Sequence, residues 1–162
     1  MTDSGRLTAA PSATKALNEM TISLLSQPVN LGLARVAVAA FFSQLDLVLS
    51  ELEEIKVAVS EAVSNAILHG YGRQPDRWIE VSAAVYPDWL EIAVEDRGYG
   101  FSGDDQAAGG DGEEEGGMGF ALMRSFMDEV VLVSAPGQGT RVVMRKKVRG
   151  AVAPGKPIAG NC

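Results

Sequence analysis

Glu61, Asn65 and His69 recur every four residues, a spacing that on a helix lines up a carboxylate, a carboxamide and an imidazole on one stripe. A glutamate there can accept a proton, and an asparagine one turn away offers a neutral oxygen to a hard cation such as magnesium. A solvated polar helix face is the plainer alternative. Asp96 follows Leu90, Ile92 and Val94 in strict alternation, so its carboxylate points to the buried side of a strand. A carboxylate is costly there unless it meets a hydrogen-bond donor, and the amino group of adenine is such a donor. Gly98 and Gly100 follow at once, in a D-R-G-Y-G turn that lets a ligand approach the backbone closely. Gly116-Gly117-Met118-Gly119 leads into a helix, whose free N–H groups suit phosphate oxygens. Gly139-Thr140 opens the last strand, with a hydroxyl placed to reach a ring nitrogen or a bound water.

Two motifs are misleading. Gly98, Gly100 and Gly103 spell G-x-G-x-x-G, but the dinucleotide fingerprint needs a helix beginning there, and the chain continues S-G-D-D-Q-A-A-G-G. No G-x-x-x-x-G-K-[ST] occurs either, which excludes a P-loop.

The elements that must position these residues follow from periodicity and turn signals. Met20 to Leu25 has strand character, and after Gln27-Pro28 the sequence predicts a helix capped by Asn30 and running to about Leu45. Arg35 is its one strong charge, among Leu33, Val36, Ala37 and Val38, so it either snorkels at the edge of the core or faces a partner. Ser50 and Glu53 match a capping box, and Leu52, Ile55, Val59 and Ala66 continue at helical spacing, predicting a helix from Ser50 to His69 stopped by Gly70. Trp78 to Tyr86 and the run through Leu90, Ile92 and Val94 alternate as a hairpin about Pro87-Asp88. Phe120, Met123 and Met127 place a helix over Gly117 to Asp128. Val130 to Ala135 and Thr140 to Val148 then form a second hairpin about P-G-Q-G. The class is α+β: a two-layer sandwich, with a mostly antiparallel sheet and helices on one face.

With 162 residues, 46% of them hydrophobic, the chain is long enough for one domain at about 150 residues each. We place that domain at residues 20–148, between flexible tails at 1–19 and 149–162. Cys162 is the only cysteine, which excludes an intrachain disulfide and fits a reducing, cytoplasmic setting. The longest apolar run, Val36 to Phe42, is far short of the roughly 18–20 residues of a membrane span. The start does not read as a secretory signal. Of the net charge of −7, six acids lie between Phe101 and Gly116, leaving a nearly neutral body with no footprint for nucleic acid.

In order, E-A-V-S-N-A-I-L-H-G-Y (61–71), E-D-R-G-Y-G (95–100), G-M-G-F-A-L-M-R-S-F-M-D-E-V (117–130) and G-Q-G-T-R-V (137–142) resemble the ATP-binding boxes of the GHKL superfamily. Within it the chain is similar to the anti-sigma factor and serine-protein kinase group, most closely the anti-sigma F factors of spore-forming bacteria, over about residues 20–148. The resemblance implies a Bergerat-type ATP-binding sandwich that forms a homodimer and holds a sporulation sigma factor inactive. It also implies that the protein uses ATP and magnesium to phosphorylate a serine of a small STAS-type anti-anti-sigma protein. Carried onto matching positions, Glu61 is the general base, and Asn65 holds magnesium and the phosphates. Asp96 binds the adenine amino group beside Gly98 and Gly100, Gly117 and Gly119 lie near the phosphates, and Thr140 lies near the base. Arg35 matches an arginine that relatives present to partners, and His69 orders the end of its helix rather than receiving phosphate. The departure is the segment 101–116: relatives carry a longer lid with cationic and hydroxyl side chains, and this chain has an acidic, glycine-rich stretch. Sequestration without turnover is the alternative that this departure leaves open, and the equivalent kinase acting on a general-stress sigma factor is a separate one.

Overall fold

The computed structural model describes residues 14–100 and 115–148, so most of both expected tails and of the acidic segment lies outside it. In chain order the elements are β1 (Asn18–Leu25), α1 (Asn30–Phe42), α2 (Leu49–Asn65), β2 (Trp78–Val85), β3 (Trp89–Asp96), α3 (Glu115–Phe126), β4 (Glu129–Ala135) and β5 (Gly139–Lys147). The five strands form one antiparallel sheet, as expected, in the order β1-β2-β3-β5-β4. β3 lies at its centre, hydrogen-bonded to β2 on one side and β5 on the other.

Period-two alternation sends Ile79, Val81, Ala83 and Val85 of β2, Leu90, Ile92 and Val94 of β3, and Val142 and Met144 of β5 into one layer. The helices meet them there with Ala34, Val38 and Phe42 of α1, Ile55, Ala58, Val59, Ala62 and Val63 of α2, and Met123 of α3, in one core cluster. Among the described residues no helix covers the other face of the sheet, which carries ion pairs between neighbouring strands. Arg145 bonds Glu91 at 2.7 Å and Glu129 at 2.8 Å, and Arg141 bonds Glu95 at 2.6 Å. No helix among the described residues is long and apolar enough to cross a membrane.

The element ends depart from expectation in instructive ways. α2 starts at Leu49, and the residue that folds back on its first turn is Glu51, whose Oε2 accepts the Val48 N–H at 3.0 Å. Ser50 therefore lies inside the helix, and Glu53 pairs with Lys56 instead. Asn30 is not the cap of α1: it sits in the first turn and ties the helix to β1 through its Nδ2, which donates to the Leu25 carbonyl at 2.8 Å. α1 stops at Phe42, short of Leu45. α3 begins at Glu115, so Glu115 and Gly116, expected in the acidic segment, belong to the helix. The predicted helix to His69 is α-helical only to Asn65, and Ala66–Gly70 forms a π turn.

Candidate functional site

Four segments converge where β3 ends and β5 begins. Asp96, the last residue of β3, pairs with Ile79 of β2 and Thr140 of β5, and it is 4% exposed. The backbone N–H of Gly98 donates to its Oδ1 at 2.9 Å. A β-carbon on Gly70 would stand 2.6 Å from Oδ2, and one on Gly139 would overlap the Asp96 carbonyl oxygen. Gly139 also needs its left-handed backbone, with φ at 84°. Burial pushes the Asp96 carboxyl up to about 6. Backbone hydrogen bonds from Gly98 and Thr140 oppose that shift, and the charge on Glu95 adds to it. Buried carboxylates otherwise seek a cation, and among the described residues none pairs with this one, so it suits a neutral donor brought by a ligand.

The π turn positions the other wall. The Tyr71 N–H bonds the Ala66 carbonyl at 3.1 Å, five residues back, and that extra residue brings the Gly70 carbonyl to the Tyr99 N–H at 3.0 Å. The buried Tyr71 hydroxyl donates to the Trp78 carbonyl at 2.6 Å and accepts from the Arg97 N–H at 2.7 Å. The loop leaving Asp96 is thus held at Arg97 and Tyr99 while Gly98 packs against the Gly70 carbonyl. A β-carbon at Gly98 would overlap that carbonyl oxygen, which is backbone and cannot swing aside. Gly98→Ala is expected to cost about 3 kcal/mol of stability, read as a lowered urea midpoint.

Glu61 and Asn65, both half-buried on α2, face the start of α3. A β-carbon at Gly119 would lie 2.6 Å from Glu61 Oε2 and 3.7 Å from Asn65 Oδ1, so the helix start closes directly over both side chains. Gly117 has open space around it. The first-turn N–H groups of a helix lack an intrahelical acceptor and suit phosphate oxygens, and Gly117 is in that turn of α3. The Glu61 and Asn65 oxygens form a hard donor set that fits magnesium, which takes one or two protein ligands and completes its shell with phosphate oxygens and water. No group of three or more His, Cys, Asp or Glu side chains with metal-ligand spacing occurs among the described residues.

Thr140 turns its hydroxyl toward the helix side of the sheet, 2.9 Å from Ser134 Oγ. His69 is exposed in the π turn, so the helix end is closed by the Tyr71 and Arg73 N–H groups rather than by its imidazole. Arg35 stands apart, exposed on α1 beside Leu33 and Val36, which are 53% and 60% exposed. Of the residues singled out by spacing, Glu61, Asn65 and Gly119 come together between α2 and α3, and Asp96, Gly98, Gly100 and Thr140 where β3 ends and β5 begins. Gly70, Tyr71 and Ser134 emerge only in three dimensions. The signal for the first two was the H-G-Y string, in which a helix stop is followed by an aromatic residue with a polar tip.

Residues 24–146 match the histidine kinase-like ATPase domain family. An anti-sigma F factor of Clostridium novyi is 42% identical over 137 residues, covering 82% of this chain and 96% of that protein. One from Halalkalibacterium halodurans is 43% identical over 134 residues, covering 80% and 92%. Among solved structures, the RsbU and RsbW domains of a Mycobacterium tuberculosis protein superpose with a TM-score of 0.60 at 21% identity, over 83% of this chain and 33% of that one. The histidine kinase domain of a blue-light activated kinase from Erythrobacter litoralis gives 0.52 at 21% identity, over 85% and 65%. These two likenesses are of fold.

Proposed function

As this chain belongs to the histidine kinase-like ATPase family and, within it, to the anti-sigma F factors, we propose that it binds a sporulation sigma factor and uses ATP to phosphorylate a serine of an anti-anti-sigma protein. The observation that carries the kinase reading is the closure of Gly119 over Glu61 and Asn65, together with the buried Asp96 at the end of β3. In this reading Asp96 accepts from the adenine amino group, Gly98 and Gly100 let the base approach, and Thr140 lies beside the ring. Gly117, in the first turn of α3, offers its backbone N–H to the phosphates, Gly119 lies near them without a side chain, and Asn65 holds magnesium, which neutralises charge on the phosphate oxygens. Glu61 takes the proton of the partner's serine as its oxygen bonds the γ-phosphorus and the bond from that phosphorus to the β–γ bridging oxygen breaks, releasing ADP.

Sigma-factor docking is assigned to α1, which exposes Arg35 to solvent and also exposes Leu33 and Val36. The active species is a homodimer in this reading. The same exposed side chains favour a second reading, in which the chain sequesters its partner without turnover. The test is transfer of label from γ-labelled ATP with magnesium to a candidate anti-anti-sigma protein, with nucleotide affinity and sedimentation measured on the same samples. Transfer supports the kinase, whereas ATP binding without transfer leaves the sequestering module.

Gly119→Ala probes the closure itself. The atom its methyl meets is the far end of a flexible side chain, so the thermal midpoint is expected to move by less than about 3 °C. Displacement of Glu61 is expected to cut transfer at least tenfold, with ATP affinity changed less than threefold, as isothermal titration would show.

A further inference from the structure

Lys146 of β5 ties α2 and α3 together through one ammonium group. Its Nζ donates to Glu54 Oε2 of α2 at 2.8 Å and to the Phe126 carbonyl, the last of α3, at 2.8 Å. The carbonyls of a helix's last turn have no partner within the helix, and a cation there also meets the negative end of the helix dipole. The Lys146 side chain is only 13% exposed, and its backbone pairs with the fully buried Leu90 of the central strand β3, so it is anchored in the sheet.

Glu54 and Glu61 are seven residues apart on α2, and Gly119 and Phe126 are seven apart on α3. Two helical turns make each span about 10 Å. Lys146 joins Glu54 to Phe126, and Gly119 lies so close to Glu61 that a β-carbon would stand 2.6 Å from Oε2. The two helices therefore run antiparallel and are held at two points two turns apart, with the fully buried Ala58 and Met123 at intermediate positions. The contact at Gly119 blocks movement of α3 toward α2. The link at Phe126 opposes its movement away.

We infer that Lys146 is a positioning residue for phosphoryl transfer, which sets how closely the start of α3 closes over Glu61 by holding the far end of that helix to α2. This rests on the kinase reading of Glu61. With Glu54 two turns from Glu61, the ammonium acts through α3 and not on the phosphates. A displacement of about 1 Å at a reacting group can cost up to 10²-fold in rate, so a link this far from the chemistry can control it.

Lys146→Met keeps the length of the stem and removes the ammonium. Measured at a temperature where melts show both chains folded, it is expected to lower kcat for transfer to a candidate anti-anti-sigma protein about tenfold, with KM for that protein changed less than threefold. Lys146→Arg, which keeps donors for both acceptors, is expected to recover most of the rate. Gly119→Ala already displaces Glu61, so adding Lys146→Met to it is expected to change little further. In the nucleotide-free chain, Lys146→Met is expected to speed amide exchange in α3 at least fivefold and to leave that of β3 unchanged. Glu54→Ala carries the test where Lys146→Met fails to fold: it breaks the link at α2 and is expected to lower kcat at least threefold. An unchanged kcat in the folded variants, losses that multiply with that of Gly119→Ala, or exchange that rises equally in β3 would overturn the assignment and leave the kinase reading standing. A native chain that transfers no phosphate would instead overturn the kinase reading, and this inference with it.

Discussion

Glu61→Gln is expected to lower the rate of phosphoryl transfer to the partner serine between about 10²- and 10⁴-fold, the range that a positioned general base contributes. Glutamine keeps the length and shape of the side chain, so it continues to fill the space under Gly119, whose β-carbon position is 2.6 Å from Oε2. It loses only the ability to take the proton. The half-buried setting on α2 makes the substitution mild for folding. Single-turnover transfer, measured beside ATP binding, separates the outcomes. A loss confined to the rate fits the proposed base. A parallel loss of affinity means that Glu61 acts through the metal and phosphates, and an unchanged rate removes it from the chemistry.

Asp96→Asn is expected to weaken ATP binding 10- to 100-fold, the cost of removing a charged acceptor from a buried hydrogen bond. It is also expected to make the empty protein more stable at neutral pH. Folding lifts the Asp96 carboxyl from 3.8 to about 6, so between those values the folded chain holds a proton that the unfolded chain releases. Stability therefore falls as pH rises through that window, and above pH 6 the ionised, buried group costs roughly 3 kcal/mol at most. Asparagine is neutral at every pH and escapes this cost. The nucleotide side has the opposite sign: an ionised Asp96 is the better acceptor, so native affinity for ATP is expected to fall as pH drops below about 6, and the variant to lack that dependence. Thermal melts at pH 5 and pH 7.5, with and without ATP, test both signs. A variant that melts lower than the native chain at pH 7.5 would contradict the argument.

The central sheet was legible because β2 and β3 carry an apolar residue at every second position, Ile79 to Val85 and Leu90 to Val94. That alternation also placed Asp96 on the buried side, and with it one end of the site. α2 was legible from its apolar spacing, but its start was not: any short polar residue ahead of a glutamate mimics a capping box, and Ser50 with Glu53 did so while Glu51 folded back on Val48. The π turn was illegible because one additional residue leaves the apolar pattern at three- and four-residue spacing nearly intact. The contacts across strands, from Ser134 to Thr140 and from Arg141 to Glu95, depend on register, which periodicity does not provide. Arg35 is the instructive intermediate case. Spacing left two readings for it, and the structure adds that its side chain is exposed on α1, as those of Leu33 and Val36 are.

The π turn at Ala66–Gly70 also limits how this chain can change in length. One residue of an α-helix rotates the next by about 100°. Removing a single residue there would let the helix run on regularly, but it would swing Gly70 and Tyr71 around the axis, away from Asp96 and Arg97. No single substitution elsewhere restores that angle, because the Gly70 carbonyl and the Tyr71 hydroxyl reach different strands and loops. The site around Asp96 is thus sensitive to the count of residues between Asn65 and Trp78 even where it tolerates changes in their identity. A length change there would have to be compensated by a second one before the loop after β3 could be held again.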